Sequence, residues 1–300
     1  MSPPALALEA AGRRLELGDR PLLMGIVNAT PDSFSDGGVT PTLDERVELA
    51  RSLLAAGADM IDIGGESGVT NRPPVEPEEE IRRVVPLIER VSTELGALVS
   101  VDTYKPSVAR AAIAAGAAIV NDVSGLLDPG LADACADTGA ALVLMHTRAA
   151  PKHKLLDRSY DGKIVDDVLA FLAERIELAR AHGVALEQLI VDPGPDFGKT
   201  PAQTIEVLRA LDRLHQFERP ILLAVSRKDF IGAITLRAPR QRLPGTLAAL
   251  AHGVDAGAHI LRVHDVAEAV DFLTVRAVLD GRLEFDAGLG LPEALRHEQG

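Results

Sequence analysis

One cysteine, Cys135, stands in 300 residues. No intrachain disulfide is available, and the lone thiol reads as a small buried apolar residue. Basic residues are in deficit: 31 Lys+Arg against 44 Asp+Glu, for a net charge of −13. That balance excludes a general nucleic-acid binder, because no cationic excess exists to displace counterions from a phosphate backbone. It leaves room for an anionic small molecule held by a few placed cations. Long apolar runs are missing too. The most apolar stretch, Ala111–Val120, is ten residues and contains Gly116, whereas a membrane span needs about 20. Met1–Ala11 has no basic start ahead of its short apolar run, so neither a signal peptide nor a membrane partner is expected. The expected location is the cytoplasm. No linker, low-complexity tract or composition break marks a second domain.

What is present is a repeat of architecture. Ala56-Gly57-Ala58, Ala115-Gly116-Ala117, Gly139-Ala140 and Ala256-Gly257-Ala258 each follow a helix-like segment and precede a short Val/Ile/Leu run. Glycine just past a helix supplies the left-handed residue that ends it. A short, wholly apolar run fits a parallel strand buried on both faces. Eight such runs appear: Leu22–Val27, Met60–Ile63, Leu98–Val101, Ala118–Val120, Ala141–Met145, Leu189–Val191, Ile221–Val225 and Ile260–Val263. Helical patterns alternate with them over Leu43–Ala55, Glu78–Leu95, Ser107–Ala114, Gly130–Asp137, Val165–Ala181, Ala202–Leu214, Gly245–Asp255 and Val266–Leu279. Eight β/α units in this length predict a single (β/α)8 TIM barrel with a short N-terminal extension. The expected division is a lead-in over 1–20, a hairpin under the barrel, then the barrel over 21–283 and a tail over 284–300.

Active sites of this fold lie at the C-terminal ends of the strands. The residues there are Asn28, Asp62, Asp102, Asn121 with Asp122, His146, Asp192, Ser226-Arg227-Lys228, and Arg262 with His264. All eight runs finish on polar or charged side chains, expected to face one mouth. Long loops follow three of them, Ala29–Pro41, Gly65–Pro77 and Thr147–Ile164, which suggests lids or binding loops. Asp102, Asn121, Asp192 and Lys228 offer acceptors, an amide and a cation, a set suited to a flat heterocycle with an aminopyrimidinone edge. Asn28, Arg262 and His264 suit a phosphate group with Mg²⁺. Residues 194–200 are not a phosphate-binding P-loop, because Pro193 occupies the position of its first glycine. His146 and His153 lack metal-site spacing with carboxylates.

The ordered motifs resemble one family. Met24–Gly38, which includes Asn28, Asp32 and Asp36, looks like the first signature of the dihydropteroate synthases, and Asp62–Ser67 resembles the second. Ser100–Thr103, Asn121–Val123, Met145-His146, Asp192–Gly194 with Phe197–Lys199, Ser226–Lys228 and Arg262–Asp265 follow in order, so the resemblance spans about Pro21 to Gly281. It implies condensation of 6-hydroxymethyl-7,8-dihydropterin diphosphate with p-aminobenzoate. It places Asp62, Asp102, Asn121, Asp192 and Lys228 on the pterin, and Asn28, Arg262 and His264 on diphosphate, with Asn28 on Mg²⁺. The acceptor pocket and its loops would be Asp36, Arg72, Pro73, Phe197, Ser226, Lys228 and Asp229. The resemblance also implies a Mg²⁺ cofactor, a homodimer, and departure of the leaving group before amine attack.

The acceptor half departs from the family pattern. The second loop, Gly64–Pro73, carries about three extra residues. Asp229 stands where Ser is common, Asp196 where Gly is common, and Thr147-Arg148 where Met-Gln is common. An acid facing the aminobenzoate carboxylate at about 4 Å would oppose it by about 1–4 kcal/mol, a tenfold effect or more. Gly68–Asn71, Asp196 and Asp229 make this half of the site longer and more negative, so weak p-aminobenzoate and sulfonamide binding is expected, with pterin diphosphate binding preserved. If Asp229 turns outward to cap a helix, it has no such effect. A synthase-like paralogue that binds pterin but uses p-aminobenzoate poorly is one alternative. A pterin-binding methyltransfer domain is another, disfavoured because a methyl donor has no diphosphate for Arg262 and His264.

Overall fold

The computed structural model describes residues 6–18, 20–30, 41–67, 73–153, 155–286, 288 and 290–296. A hairpin, β1 (Leu6–Ala10) and β2 (Arg13–Leu17), comes first. The barrel strands are β3 (Leu22–Asn28), β4 (Met60–Gly64), β5 (Leu98–Asp102), β6 (Ile119–Asp122), β7 (Ala141–Met145), β8 (Leu189–Asp192), β9 (Leu222–Leu223) and β10 (Ile260–Val263). They form one parallel sheet in the order β8-β7-β6-β5-β4-β3-β10-β9. A bridge between Val191 and Ile221 joins the two edge strands and completes the ring.

Helices follow the strands on the outside: α1 (Leu43–Ala55), α2 (Pro77–Glu94), α3 (Pro106–Ala114), α4 (Gly130–Thr138), α5 (Ile164–Ala181) and α6 (Pro201–Arg209). Two helices, α7 (Asp229–Thr235) and α8 (Leu243–Asp255), follow β9, and α9 (Val266–Leu279) follows β10. Local chemistry sets several starts. Thr42 and Thr200 close capping boxes with Glu45 and Gln203. Pro77, Pro106 and Pro201 occupy first turns, where a missing N–H costs nothing.

Three expectations about elements need correction. The run Ile221–Val225 shrinks to Leu222–Leu223, because the chain leaves the ladder for a turn in which Arg227 takes φ +59°. The helix read over Ala202–Leu214 stops at Arg209, and a 3-10 segment, Leu211–Phe217, carries on. There the buried pair Leu211 and Leu214, three apart, stacks on one side of the tighter helix. Helix α7, the one Asp229 would cap, is missing from the eight helical patterns, since Phe230–Ile234 shows no polar/apolar period and Gly232 interrupts it.

Strand alternation divides the core in two. Leu23, Val27, Ile61, Val99, Val120, Leu142, Leu223 and Leu261 face outward onto the helices. Met24, Met60, Leu98, Ile119, Ala141, Ile190, Leu222 and Ile260 face inward, where Leu8, Ala10 and Leu17 of the hairpin join them. The hairpin turn bonds to the rest of the chain through Ala11 N–H on Gly139 O at 2.7 Å. The N-terminal end of the barrel is thereby plugged with apolar side chains. Counting on by twos from each inward residue reaches Asn28, Asp62, Ser100, Asp102, Asn121, Asp192, Ser226, Arg262 and His264, so the other end is polar.

Candidate active site

Asp62 is fully buried. Its Oδ2 accepts from Arg262 Nε at 2.6 Å and from Asn121 Nδ2 at 3.2 Å. Arg262 Nη2 also donates to Asp102 Oδ2 at 2.9 Å. Asp62 Oδ1 and Ser100 Oγ are buried without a hydrogen-bond partner, and their strands pair them side by side. Buried acceptors left so demand a donor, and a heterocycle edge bearing N–H groups is one. Burial pushes the Asp102 carboxyl up to about 7, with Arg262 opposing the shift and Asp62 adding to it. Burial also raises Asp192 to about 6, against the Gly194 N–H that its Oδ1 accepts at 2.7 Å and the charge of Lys228.

Lys228 lies across from these acids. Its ammonium stands 4.1 Å from the centroid of the Phe197 ring, a cation–π distance. Burial lowers its pKa, while Asp196, Asp192 and Asp102 support the charge. Ser226, expected in the acceptor pocket, lies on the inward phase carried on from β9 and bonds to His264. Its Oγ accepts from the His264 backbone N–H at 3.2 Å and lies 3.0 Å from Nδ1. A serine proton directed to Nδ1 puts the ring proton on Nε2, which is then a donor. His264 stands exposed at the rim, its inner side against Ser226. Partial desolvation, with Arg262 and Arg227 nearby, pushes its pKa below the usual imidazole range.

The structure does not bring every strand-end residue to this mouth. Asp122 and His146 fall on the outward phase of their strands. Asp122 accepts from the Ser124 and Leu126 backbone N–H groups and shapes a turn. His146 packs on Phe171 of α5, with Nε2 3.0 Å from Asp167. Arg227 pairs with Asp265. The Asp229 side chain is 87% exposed and pairs with Arg242 at 2.9 Å, so it heads α7 from the solvent side and turns away from the acceptor. Pro73 is exposed. Asp36, Arg72 and the added residues Gly68–Asn71 lie outside the described residues.

Two groups escaped the sequence reading. Lys199 is buried, with Nζ 2.6 Å from His146 Nδ1 and bonded to the carbonyls of Gly194 at 2.9 Å and of His146 and Phe197 at 3.2 Å. Glu66 joins three loops: it accepts from Lys105 Nζ at 2.6 Å, Val75 N–H at 3.0 Å and Tyr104 OH at 3.0 Å, and pairs with Lys152 at 3.3 Å. Both lie inside motifs quoted above, but nothing in linear spacing reveals such partners.

A barrel with buried acids, an amide and two cations at its open end belongs to a recognised class: residues 24–264 match the pterin binding enzymes. The dihydropteroate synthase of Escherichia coli (strain K12) is 40% identical over 270 residues, 90% of this chain and 95% of that protein. That of Bacillus subtilis (strain 168) is 42% identical over 253 residues, 84% of this chain and 86% of that one. The Xanthomonas albilineans dihydropteroate synthase solved with 4-aminobenzoic acid superposes with a TM-score of 0.85 at 46% identity, covering 92% of this chain and 99% of that one. The chain belongs to the dihydropteroate synthase family.

Proposed function

We infer that this chain condenses 6-hydroxymethyl-7,8-dihydropterin diphosphate with p-aminobenzoate, giving 7,8-dihydropteroate and pyrophosphate in folate biosynthesis. The observation that carries this reading is the set Asp62, Asn121 and Asp192, all buried, with Asp102 half-buried beside them and Asp62 Oδ1 unpartnered. Such a set is costly to bury unless a ligand with several N–H groups completes it. The same enzyme of Xanthomonas albilineans has been solved with 7,8-dihydropteroate at 46% identity.

Each residue then has a task. Asp102, Asn121 and Asp192 accept from and orient the pterin, and Lys228 donates to its ring oxygen. His264 Nε2–H and the positive field of Arg262 favour negative charge growing on the departing diphosphate. The amine of p-aminobenzoate then bonds to the exposed methylene carbon, and its proton leaves to solvent. The Lys228 stem and the Phe197 ring form the acceptor slot, since a lysine stem packs well on an aromatic face.

We propose that Mg²⁺ is held at the end of β3, where Asn28 offers an amide oxygen. Among the described residues no group of three or more His, Cys, Asp or Glu could cage a metal. Mg²⁺ commonly uses one or two protein oxygens plus substrate phosphates and waters, which Asn28 and the diphosphate would supply. When bound, it offsets charge on the leaving group. We also propose a homodimer. The α8–α9 face carries a groove of about 690 Å³ lined by Leu247, Phe272, Val275 and Leu279, with Val275 59% and Leu279 81% exposed. The proposed compartment is the cytoplasm; among the described residues no helix is long and apolar enough to cross a membrane.

The test is pyrophosphate release and dihydropteroate formation from pterin diphosphate, with and without p-aminobenzoate and with and without Mg²⁺. Turnover that needs all three components supports the reading. Pyrophosphate release indifferent to p-aminobenzoate overturns it in favour of a paralogue. Sedimentation at micromolar concentration tests the dimer.

A further inference from the structure

Asp196 bridges the loops that carry the two walls of the acceptor slot. It lies beyond β8 at φ +65°, a conformation that side chains other than Asn, Asp and Gly seldom take. Its Oδ2 accepts from the Phe230 backbone N–H, in the first turn of α7, at 3.1 Å. Its Oδ1 accepts from Thr204 Oγ1, on α6, at 3.0 Å, and its own N–H donates to the same Oγ1 at 3.1 Å. Thr204 is fully buried, so the bridge is anchored in the core. One neighbour of Asp196 is Phe197, and Lys228 stands immediately before α7, with its ammonium over that ring.

From the sequence, this acid only adds negative charge to a pocket that must accept a carboxylate. The structure reverses that expectation. Both carboxylate oxygens already have protein donors, and the charge faces Lys228, to which it is the leading supporting acid.

We propose that Asp196 is a positioning residue that fixes the distance between Phe197 and Lys228, and so the width of the slot for the aromatic amine. The proposal rests on the function given above and deepens it. The strands themselves place Asp102, Asn121 and Asp192, so the pterin half does not depend on this bridge. The acceptor half does, because its walls come from two loops that no strand pairing joins beyond the short β9.

Two variants separate geometry from charge. Asp196→Gly removes the bridge in a residue that adopts positive φ freely, so the backbone is not strained. Asp196→Asn removes the charge but keeps the bridge: its carbonyl accepts from Phe230 N–H and its amide donates to Thr204 Oγ1. The expected result for Asp196→Gly is a KM for p-aminobenzoate raised roughly three- to tenfold, the effect of one such hydrogen bond. The KM for pterin diphosphate changes less than kcat/KM for the acceptor, and Asp196→Asn restores acceptor KM. Hydrogen exchange at the Phe230 amide should quicken in Asp196→Gly and not in Asp196→Asn. Acceptor KM that falls in both variants would show repulsion and overturn the proposal. So would a Gly variant that behaves like the parent, or an Asn variant that fails to rescue. A parent that makes no dihydropteroate overturns the functional reading itself, and the Phe230 amide still decides whether the bridge braces α7.

Discussion

Arg262 donates from Nε to Asp62 Oδ2 at 2.6 Å, inside the barrel and above its apolar floor. The Asp62 carboxylate has no exposure to solvent, and the Arg262 side chain is 18% exposed. The sequence reading assigned Arg262 to diphosphate and Asp62 to pterin, as if they belonged to separate halves. The geometry makes them one unit, extended to Asp102 through Nη2. Arg262→Ala would leave Asp62 buried without its counter-charge, which costs about 3–5 kcal/mol. The variant should lose stability in urea unfolding and should lose affinity for pterin with or without the diphosphate. A variant of normal stability that binds the pterin alcohol normally would place Arg262 on the diphosphate only.

The raised acids predict a pH dependence. Asp102 and Asp192 must be carboxylates to accept from the pterin, and burial holds them near 7 and 6. Accordingly, kcat/KM for pterin diphosphate should climb as pH rises through that window and then level. His264 lies below its usual range and does not supply this limb. Stability runs the other way: for carboxyls raised on folding, the contribution is full below the ordinary carboxyl range and is lost progressively from there up to pH 6 to 7. His264→Gln should keep the acid limb. Its disappearance in that variant would assign the limb to the imidazole.

Asp229 should matter little. Its carboxylate is turned to solvent and paired with Arg242, and exposed pairs contribute about 0–1 kcal/mol. Asp229→Ser should leave acceptor KM within about twofold, a change inside that energy range. Arg242→Ala should do more, since Nη1 also bonds the carbonyls of Arg227 at 2.9 Å and Lys228 at 3.1 Å and so supports the turn beneath the slot. Parallel steady-state kinetics on the two variants check this. A tighter acceptor KM in Asp229→Ser would show that the side chain does swing inward.

The barrel was legible because its signal is repetitive: each apolar run, glycine and helix restates the same unit, and errors at one unit do not shift the others. The inward residues of the mouth were legible for the same reason, as ends of runs. Asp122 and His146 were misplaced because a strand end says only that a residue is near the rim. The two-residue phase, which needs an interior reference such as Ile119 or Ala141, decides the side. Asp196 and Asp229 were read by charge alone. Which of them faces the slot depends on Thr204, Phe230 and Arg242, each distant in sequence or supplying only a backbone N–H. Lys199 escaped because two of its four acceptors, Nδ1 and the carbonyl of His146, belong to a residue that spacing alone does not connect to it.

Lys199 supports the last prediction. Its Nζ holds the carbonyls of Gly194 and Phe197, and through Gly194 the N–H that orients Asp192. Gly194 has φ +63° and any side chain there would run into the His146 carbonyl, so that turn has one close-packed solution. Lys199→Met keeps the apolar stem but leaves the carbonyls and His146 Nδ1 without a donor, a loss of about 2 kcal/mol or more. Burial lowers Lys199 to about 7, against support from Asp192 and Asp167. A lysine lowered on folding makes stability rise with pH between its folded and unfolded values, since only the unfolded chain holds the proton there. The parent should therefore gain stability from about pH 7 toward the ordinary lysine range, and Lys199→Met should be less stable with that rise reduced. Urea midpoints measured across the window decide it. A variant that keeps the parent's slope would show that Lys199 stays charged throughout and acts only as a hydrogen-bond donor.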